Sequence, residues 1–172
     1  MKKTLVIALI ALCSACAKDH GKPIASLSYT AITARPGTDL YDVRFTADAD
    51  LLNLFGAHEN PIGGRLRCAL SDDNDFSVDH VMAQSARGPI ERDAPPKSEG
   101  GIAFIATVFF TETLDNGTSD RTLEGAELTG LLSNKQVIPC KYVMTAYKFK
   151  PYYSGTLLIP TMDILREISR QD

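Results

Sequence analysis

The sequence lacks the short motifs that mark common classes of enzyme. It has no G-x-S-x-G nucleophile turn, no S-x-x-K, no H-E-x-x-H and no glycine-rich phosphate loop. Histidine is scarce as well, because the 172 residues include three, His20, His58 and His80. His20 lies in a polar stretch near the N-terminus, so a catalytic role would require His58, His80 and acidic residues to meet in one pocket. We expect no catalytic residues and no enzyme, and keep an unrecognised hydrolase or ligand carrier as a lesser alternative.

A recognisable metal-binding loop is also missing. The best candidate for a Ca²⁺ site covers residues 72–75, which carry three carboxylates and one amide, with Asp79 following. This stretch does not match an EF-hand, since the glycine expected at the sixth position is absent and the twelfth position counted from Asp73 is Gln84. We therefore expect a polar turn here, with no metal and no cofactor.

No hydrophobic run is long enough to cross a bilayer, which takes about 20 residues. The N-terminal run covers residues 4–12, about nine residues. It follows Lys2 and Lys3 and precedes small residues, which is the pattern of a secretory signal peptide. We therefore expect residues 1–16 to act as an export signal.

Two processing sites compete at the end of this signal. Ala15-Cys16-Ala17 fits ordinary signal peptidase, which would cut after Ala17 and release a soluble periplasmic or secreted protein. Cys13-Ser14-Ala15-Cys16 resembles a bacterial lipobox, although Cys13 stands where that motif usually has leucine. In that case Cys16 takes a diacylglyceryl group and becomes the mature N-terminus, and its acyl chains anchor the protein stably. We favour Cys16 as a lipid anchor in the outer membrane, with the domain in the periplasm.

Basic residues are in the minority. Of the 18 basic residues, removal of Lys2 and Lys3 with the signal leaves 16 against 21 acidic ones, a net charge of −5. This balance favours solubility and gives no footprint for nucleic acid or anionic lipid. The expected attachment to a membrane is therefore the N-terminal lipid.

Two cysteines remain in the folded part of the chain, Cys68 and Cys140. An even pair in an oxidising periplasm is usually a disulfide. Closing a loop of about 70 residues restricts the unfolded chain by about 4 kcal/mol. We expect a bond between Cys68 and Cys140, with two separate buried thiols as the alternative.

Alternation of apolar and polar side chains predicts short strands. The clearest strand covers residues 41–47, and in residues 66–70 the same alternation puts Cys68 towards the core, with Arg65 and Arg67 on the opposite face. Residues 102–111 are apolar on both faces, which is typical of a central strand covered on both sides.

Further along the chain we expect a strand at residues 76–82, a long exposed loop at 87–101 and a strand within 137–149. Thr161 is placed to cap a final short helix. Together these segments predict a mainly β (α+β) domain, an antiparallel β-sandwich-like fold of about seven or eight short strands with a short C-terminal helix. We expect one domain over residues 26–172, joined to the signal by a tether at residues 17–25.

Aromatic and basic residues crowd around Pro151. The aromatic members of this predicted binding patch are Tyr147, Phe149, Tyr152 and Tyr153. Lysines lie between them, as in a recognition surface. Packing of alternate aromatics against the sheet is the competing interpretation. Two tyrosines on a Pro/Gly loop are harder to bury, so we expect them to be exposed.

Small β-rich envelope domains without catalytic residues are more often binding modules than enzymes. We therefore expect a non-enzymatic periplasmic lipoprotein that binds another protein. The specific form of this expectation is an immunity protein or inhibitor that neutralises a toxin or hydrolase effector in the periplasm. The alternative is a structural subunit of a cell-envelope or outer-membrane assembly.

The lipid expectation leads to a direct test. Replacing Cys16 with Ala should move the protein from the membrane fraction to the soluble fraction, because the acyl chains are lost. Fractionation of cells followed by immunoblotting measures this change. A wild-type protein that is already soluble in the periplasm would mean that Cys16 carries no lipid.

Overall fold

The computed structural model describes residues 17–93 and 101–171, so the predicted signal peptide and part of the predicted loop at 87–101 lie outside the described residues. The described residues form nine strands and two short helices, and the prediction of a mainly β domain is confirmed. The strands are β1 (Leu27–Ala34), β2 (Leu40–Ala47), β3 (Pro61–Ala69), β4 (Gln84–Arg92), β5 (Ile102–Leu114), β6 (Ser119–Thr122), β7 (Val137–Ala146), β8 (Tyr152–Tyr153) and β9 (Leu157–Pro160); the helices are α1 (Gly125–Leu132) and α2 (Thr161–Ile168).

All strand pairs are antiparallel, and all nine strands belong to one sheet. Its order is β1-β2-β5-β4-β3-β7-β8, with β6 added to β5 and β9 added to β7. The sheet curls so that β1 and β9 come into contact. A single curled sheet therefore encloses the core, where we had expected the two layers of a sandwich, and the twist common to all sheets favours such curling.

The core lies on the inner face of the curled sheet. Phe45 of β2 stands directly opposite Phe104 of β5, with ring centroids 5.7 Å apart. Burial alternates strictly along β2, as predicted for residues 41–47. On the outer face of β5, Ile105 and Phe109 are only half-buried, so this strand is covered on one side and not on both.

The disulfide predicted between Cys68 and Cys140 is confirmed. The two cysteines are directly opposite each other in the pairing of β3 with β7, and both are buried. The bond therefore joins neighbouring strands that are 72 positions apart in the sequence.

Two predicted segments differ from the structure between β3 and β5. Residues 76–82 form a loop and not a strand, with Phe76 and Met82 buried in a small separate cluster. The first part of the predicted loop at 87–101 is instead strand β4, which continues to Arg92. Pro89 misled the prediction because proline is rare inside strands. In the structure it pairs with β3, while the pairing with β5 is interrupted beside it.

Helix α2 begins differently from the prediction. Its N-cap residue is Pro160, and Thr161 is the first helical residue. The Thr161 hydroxyl does not cap the helix, because it bonds to the Lys135 carbonyl and to the Gln136 carbonyl, the latter at 3.0 Å. Neither helix among the described residues is long and apolar enough to cross a bilayer.

Residues 17–25, predicted as a tether, lie against the domain. Ala25 is buried, and its N–H donates to the Tyr152 hydroxyl at 2.8 Å. That hydroxyl in turn donates to the Pro23 carbonyl at 3.1 Å. Side chains add to these contacts, because the His20 ring lies 5.4 Å from the Tyr152 ring and Lys22 pairs with Glu59 at 2.9 Å. Composition could not reveal this packing, because the partners are far away in the chain and the contacts are largely polar.

Gly88 allows β4 and β5 to approach each other closely. A Cβ atom there would lie 1.7 Å from the Thr107 carbonyl oxygen, whereas a Cβ at Gly130 in α1 would meet nothing within 4 Å. We expect Gly88→Ala to lower the free energy of unfolding by about 3 kcal/mol, because two backbones must separate. Gly130→Ala should raise it by about 0.5 kcal/mol, since alanine favours helix. Urea denaturation measures both, and equal effects of the two substitutions would contradict this packing.

Candidate functional site

Basic side chains form a row across the outer face of the sheet. Arg67 on β3 stands directly opposite Arg87 on β4 and Lys141 on β7. Opposite residues in antiparallel strands share a face. Arg65 lies two residues from Arg67 on the same strand, and therefore on the same face. Four cations thus project away from the core, on a chain whose overall charge is negative.

Three of these residues, Arg65, Arg67 and Arg87, line a cleft of about 310 Å³ that we name the arginine cleft. The loop of residues 70–83 forms one wall, and the turn between β5 and β6 forms another. Apolar side chains, including Val78 and Val81, and several polar ones complete the lining. The polar members are His80, Ser85, Thr113, Asp120 and Thr145.

Arg67 holds the loop of residues 70–83 against the sheet. Its guanidinium donates hydrogen bonds to the carbonyls of Phe76, Ser77 and His80 at 3.1–3.2 Å. Burial lowers the pKa of Arg67 below its ordinary value, and the nearby charge of Arg65 lowers it further. The guanidinium is therefore held in place, with the positive charge of Arg65 and the negative charge of Asp75 both nearby.

Among the described residues, Arg87 has an ion-pair partner and Arg65 has none. Arg87 pairs with Asp120 and lies 5.7 Å from the centre of the Phe109 ring. In residues 17–93 and 101–171, no carboxylate lies within ion-pair distance of Arg65, which is exposed. An anion entering the cleft would find Arg65 available without first breaking an ion pair.

His80 lies at the edge of the arginine cleft and is paired with the acidic run. Its Nε2 lies 2.6 Å from a carboxylate oxygen of Asp73, and its Nδ1 lies 3.9 Å from Asp75. Asp72 turns away and pairs with Lys135 at 2.6 Å. In the part of the chain that the structure describes, no three metal-ligating side chains converge.

His58 does not join His80. It is exposed on a short helical turn, Ala57–Glu59, and does not line the cleft. The convergence of His58, His80 and the acidic run that a hydrolase or ligand carrier would require is therefore incomplete, because only His80 and the acidic residues meet.

The structure separates the predicted aromatic patch. Tyr152 is fully buried and Phe149 packs against Phe55 with ring centroids 5.8 Å apart. Tyr153 is half-buried, and its hydroxyl accepts the Val78 N–H at 3.2 Å. The expectation that Tyr152 and Tyr153 are exposed is wrong, because both belong to β8, which pairs with β7. Tyr147 is 59% exposed, and its binding role stays a prediction.

Arg65 and Arg67 were predicted on the outer face of a strand, but the cleft was not predicted. Arg87 was missed because it was assigned to a loop. The signal that could have found it is the alternation of buried and polar residues in β4, where Ala86 and Gly88 face inwards on either side of Arg87.

The His80–Asp73 pair predicts a defined pH dependence. The hydrogen bond with Asp73 raises the pKa of His80 above its ordinary 6.5 and lowers the pKa of Asp73 below 3.8. The raised His80 pKa adds stability that is fully present below pH 6.5 and is lost as pH rises through the folded value. The lowered Asp73 pKa adds stability above pH 3.8 that is lost as pH falls.

We expect Asp73→Asn to return the His80 pKa towards 6.5, which an NMR pH titration of the imidazole measures. Asp79→Asn is the matched control, because Asp79 is exposed and is not among the groups that shift the pKa of His80. An unchanged His80 titration in Asp73→Asn would contradict the pairing.

Taken together, the arginine cleft offers fixed and free guanidinium groups beside hydroxyl groups. Guanidinium forks match the geometry of carboxylate and phosphate oxygens, so the arrangement is suited to holding an anion. Comparisons with protein-family models, with curated proteins and with solved structures find no match.

Proposed function

We propose that this chain is an exported lipoprotein without catalytic activity that binds an acidic protein partner through the arginine cleft. The observation that carries the proposal is the grouping of Arg65, Arg67 and Arg87 in one concave site of a negatively charged chain. A carboxylate placed there would pair with Arg65 and reduce the repulsion among the three guanidinium groups.

The fixed geometry of Arg67 supports binding. Its three bonds to loop carbonyls already hold the side chain, so little rotational freedom is lost when an anion arrives. The partial burial of this guanidinium also weakens screening by water.

The rim of the cleft favours a protein partner over a small anion. Val78 and Val81 line the cleft and are 46% and 53% exposed. Apolar side chains beside an arginine are a composition typical of protein interfaces. A partner that presents a carboxylate flanked by apolar residues would complement both features.

A toxin or hydrolase effector is the kind of partner that we propose. Many hydrolases act through pairs of carboxylates, as glycoside hydrolases do. An arginine cleft that covers such groups would neutralise the enzyme, as an immunity protein does. The acyl group on Cys16 would keep the inhibitor at the membrane of the producing cell.

The test uses Arg65→Gln in the full chain. The wild-type protein is cross-linked in cells, its partner is identified by mass spectrometry, and affinity is then measured by calorimetry with the purified partner. We expect Arg65→Gln to weaken binding about tenfold, since a charge-assisted hydrogen bond contributes about 1.5 kcal/mol. Stability should not change, because Arg65 makes no ion pair among the described residues.

Arg166→Gln is the matched control. This exposed arginine pairs with Asp163 on α2 and is not part of the cleft. Binding should be unchanged in this variant and should weaken with added salt in the wild type. Equal affinity of wild type and Arg65→Gln would overturn the role of the cleft, and a stable envelope complex of many subunits would favour the structural alternative.

A further inference from the structure

The chain enters the domain at a fixed point. The Lys18 N–H donates to the Lys148 carbonyl at 2.8 Å, and the Lys150 N–H donates to the Lys18 carbonyl at 2.8 Å. These two backbone bonds hold Lys18 beside the turn between β7 and β8. Lys18 therefore has a defined position on the domain surface.

The separation between this point and Cys16 is short. Two residue steps join Cys16 to Lys18, and a fully extended chain spans at most about 3.6 Å per residue, so their Cα atoms are within about 7 Å. A lipid on Cys16 would therefore bring the surface of the bilayer to the turn between β7 and β8.

Exposed apolar and basic side chains surround this point. Ile62 is 72% exposed and Tyr147 is 59% exposed, and a bond from the Tyr147 N–H to the Asn60 carbonyl at 3.1 Å holds the two segments together. We name this surface the anchor face. Its members are Lys18, Ile62, Tyr147, Lys148 and Lys150.

The charges of the anchor face are uncompensated within the described ranges. Lys18, Lys148 and Lys150 are exposed and form no ion pair there. The Lys148 Nζ lies 5.2 Å from the centre of the Tyr147 ring. Asp19 is the acidic neighbour along the chain. The local charge is thus positive although the net charge of the whole chain is negative.

We propose that the anchor face rests on a bilayer that contains anionic phospholipid when Cys16 is lipidated. Lysines at a membrane surface attract anionic headgroups. Tyrosine and isoleucine suit the boundary between headgroups and acyl chains, because that zone is apolar on one side and wet on the other. This inference rests on the lipid anchor of the proposed function and does not depend on the arginine cleft.

The test is hydroxyl-radical footprinting of the lipidated full chain on vesicles of phosphatidylcholine and phosphatidylglycerol. The reference is the Cys16→Ala chain free in buffer. We expect Tyr147 and Ile62 to be oxidised severalfold more slowly on vesicles. Leu158 and Met162 should be oxidised equally in both states, since they are exposed at the opposite end of β7.

Two variants separate orientation from anchoring. Lys148→Gln combined with Lys150→Gln should restore much of the oxidation of Tyr147, because the attraction to the headgroups is lost. Lys135→Gln combined with Arg166→Gln removes the same charge near the far end of β7 and should leave the protection intact.

The outcomes are distinguishable. Full oxidation of Tyr147 and Ile62 in vesicle-bound, lipidated protein would overturn the anchor face and leave the anchor in place. A mass spectrum that shows no lipid on Cys16 would overturn the anchor itself, and with it the inference built on it. The binding experiment with Arg65→Gln tests the arginine cleft, and its result does not bear on the anchor face or on the lipid.

Discussion

The pairing of β3 with β7 is the interaction on which the rest of the structure depends. Cys68 and Cys140 fix its register covalently. Because side chains alternate along a strand, a slip of one residue would move the buried residues outwards and the arginines into the core. The core, the arginine cleft and the turn beside Lys18 therefore all depend on the register of β3 with β7.

The same two strands carry opposite chemistry on their faces. Leu66 and Tyr142 lie opposite each other and are fully buried, whereas Arg67 and Lys141, the next pair, face outwards. Arg67 also supports the loop of residues 70–83, so one side chain contributes both to local structure and to the charge of the cleft. For this reason Arg65 reports on binding more cleanly than Arg67.

The success of prediction from sequence followed the strength of local patterns. Strand β2 was predictable because strict alternation is a local signal. The disulfide was predictable although its cysteines are 72 positions apart, because two cysteines remain after the predicted signal peptide. The burial of Tyr152 was not, since it depends on bonds to Ala25 and Pro23 far away in the chain. The cleft was not predicted for a similar reason, because Arg67 and Arg87 are brought together by the pairing of two strands. In addition, Pro89 led us to assign the strand that carries Arg87 to a loop. Whether the sheet curls or divides into layers is likewise set by long-range contacts.

The position of Gly63 and Thr145 has a consequence for where the protein can act. Both line the arginine cleft, and both lie within two residues of an apolar member of the anchor face, Ile62 or Tyr147. With that face on a bilayer, the mouth of the cleft would open close to the headgroups. Capture would then favour molecules already diffusing in two dimensions along the membrane or crossing it at that spot. If the proposed lipid anchor is present, the cleft would therefore bind molecules close to the membrane surface in preference to molecules farther from it.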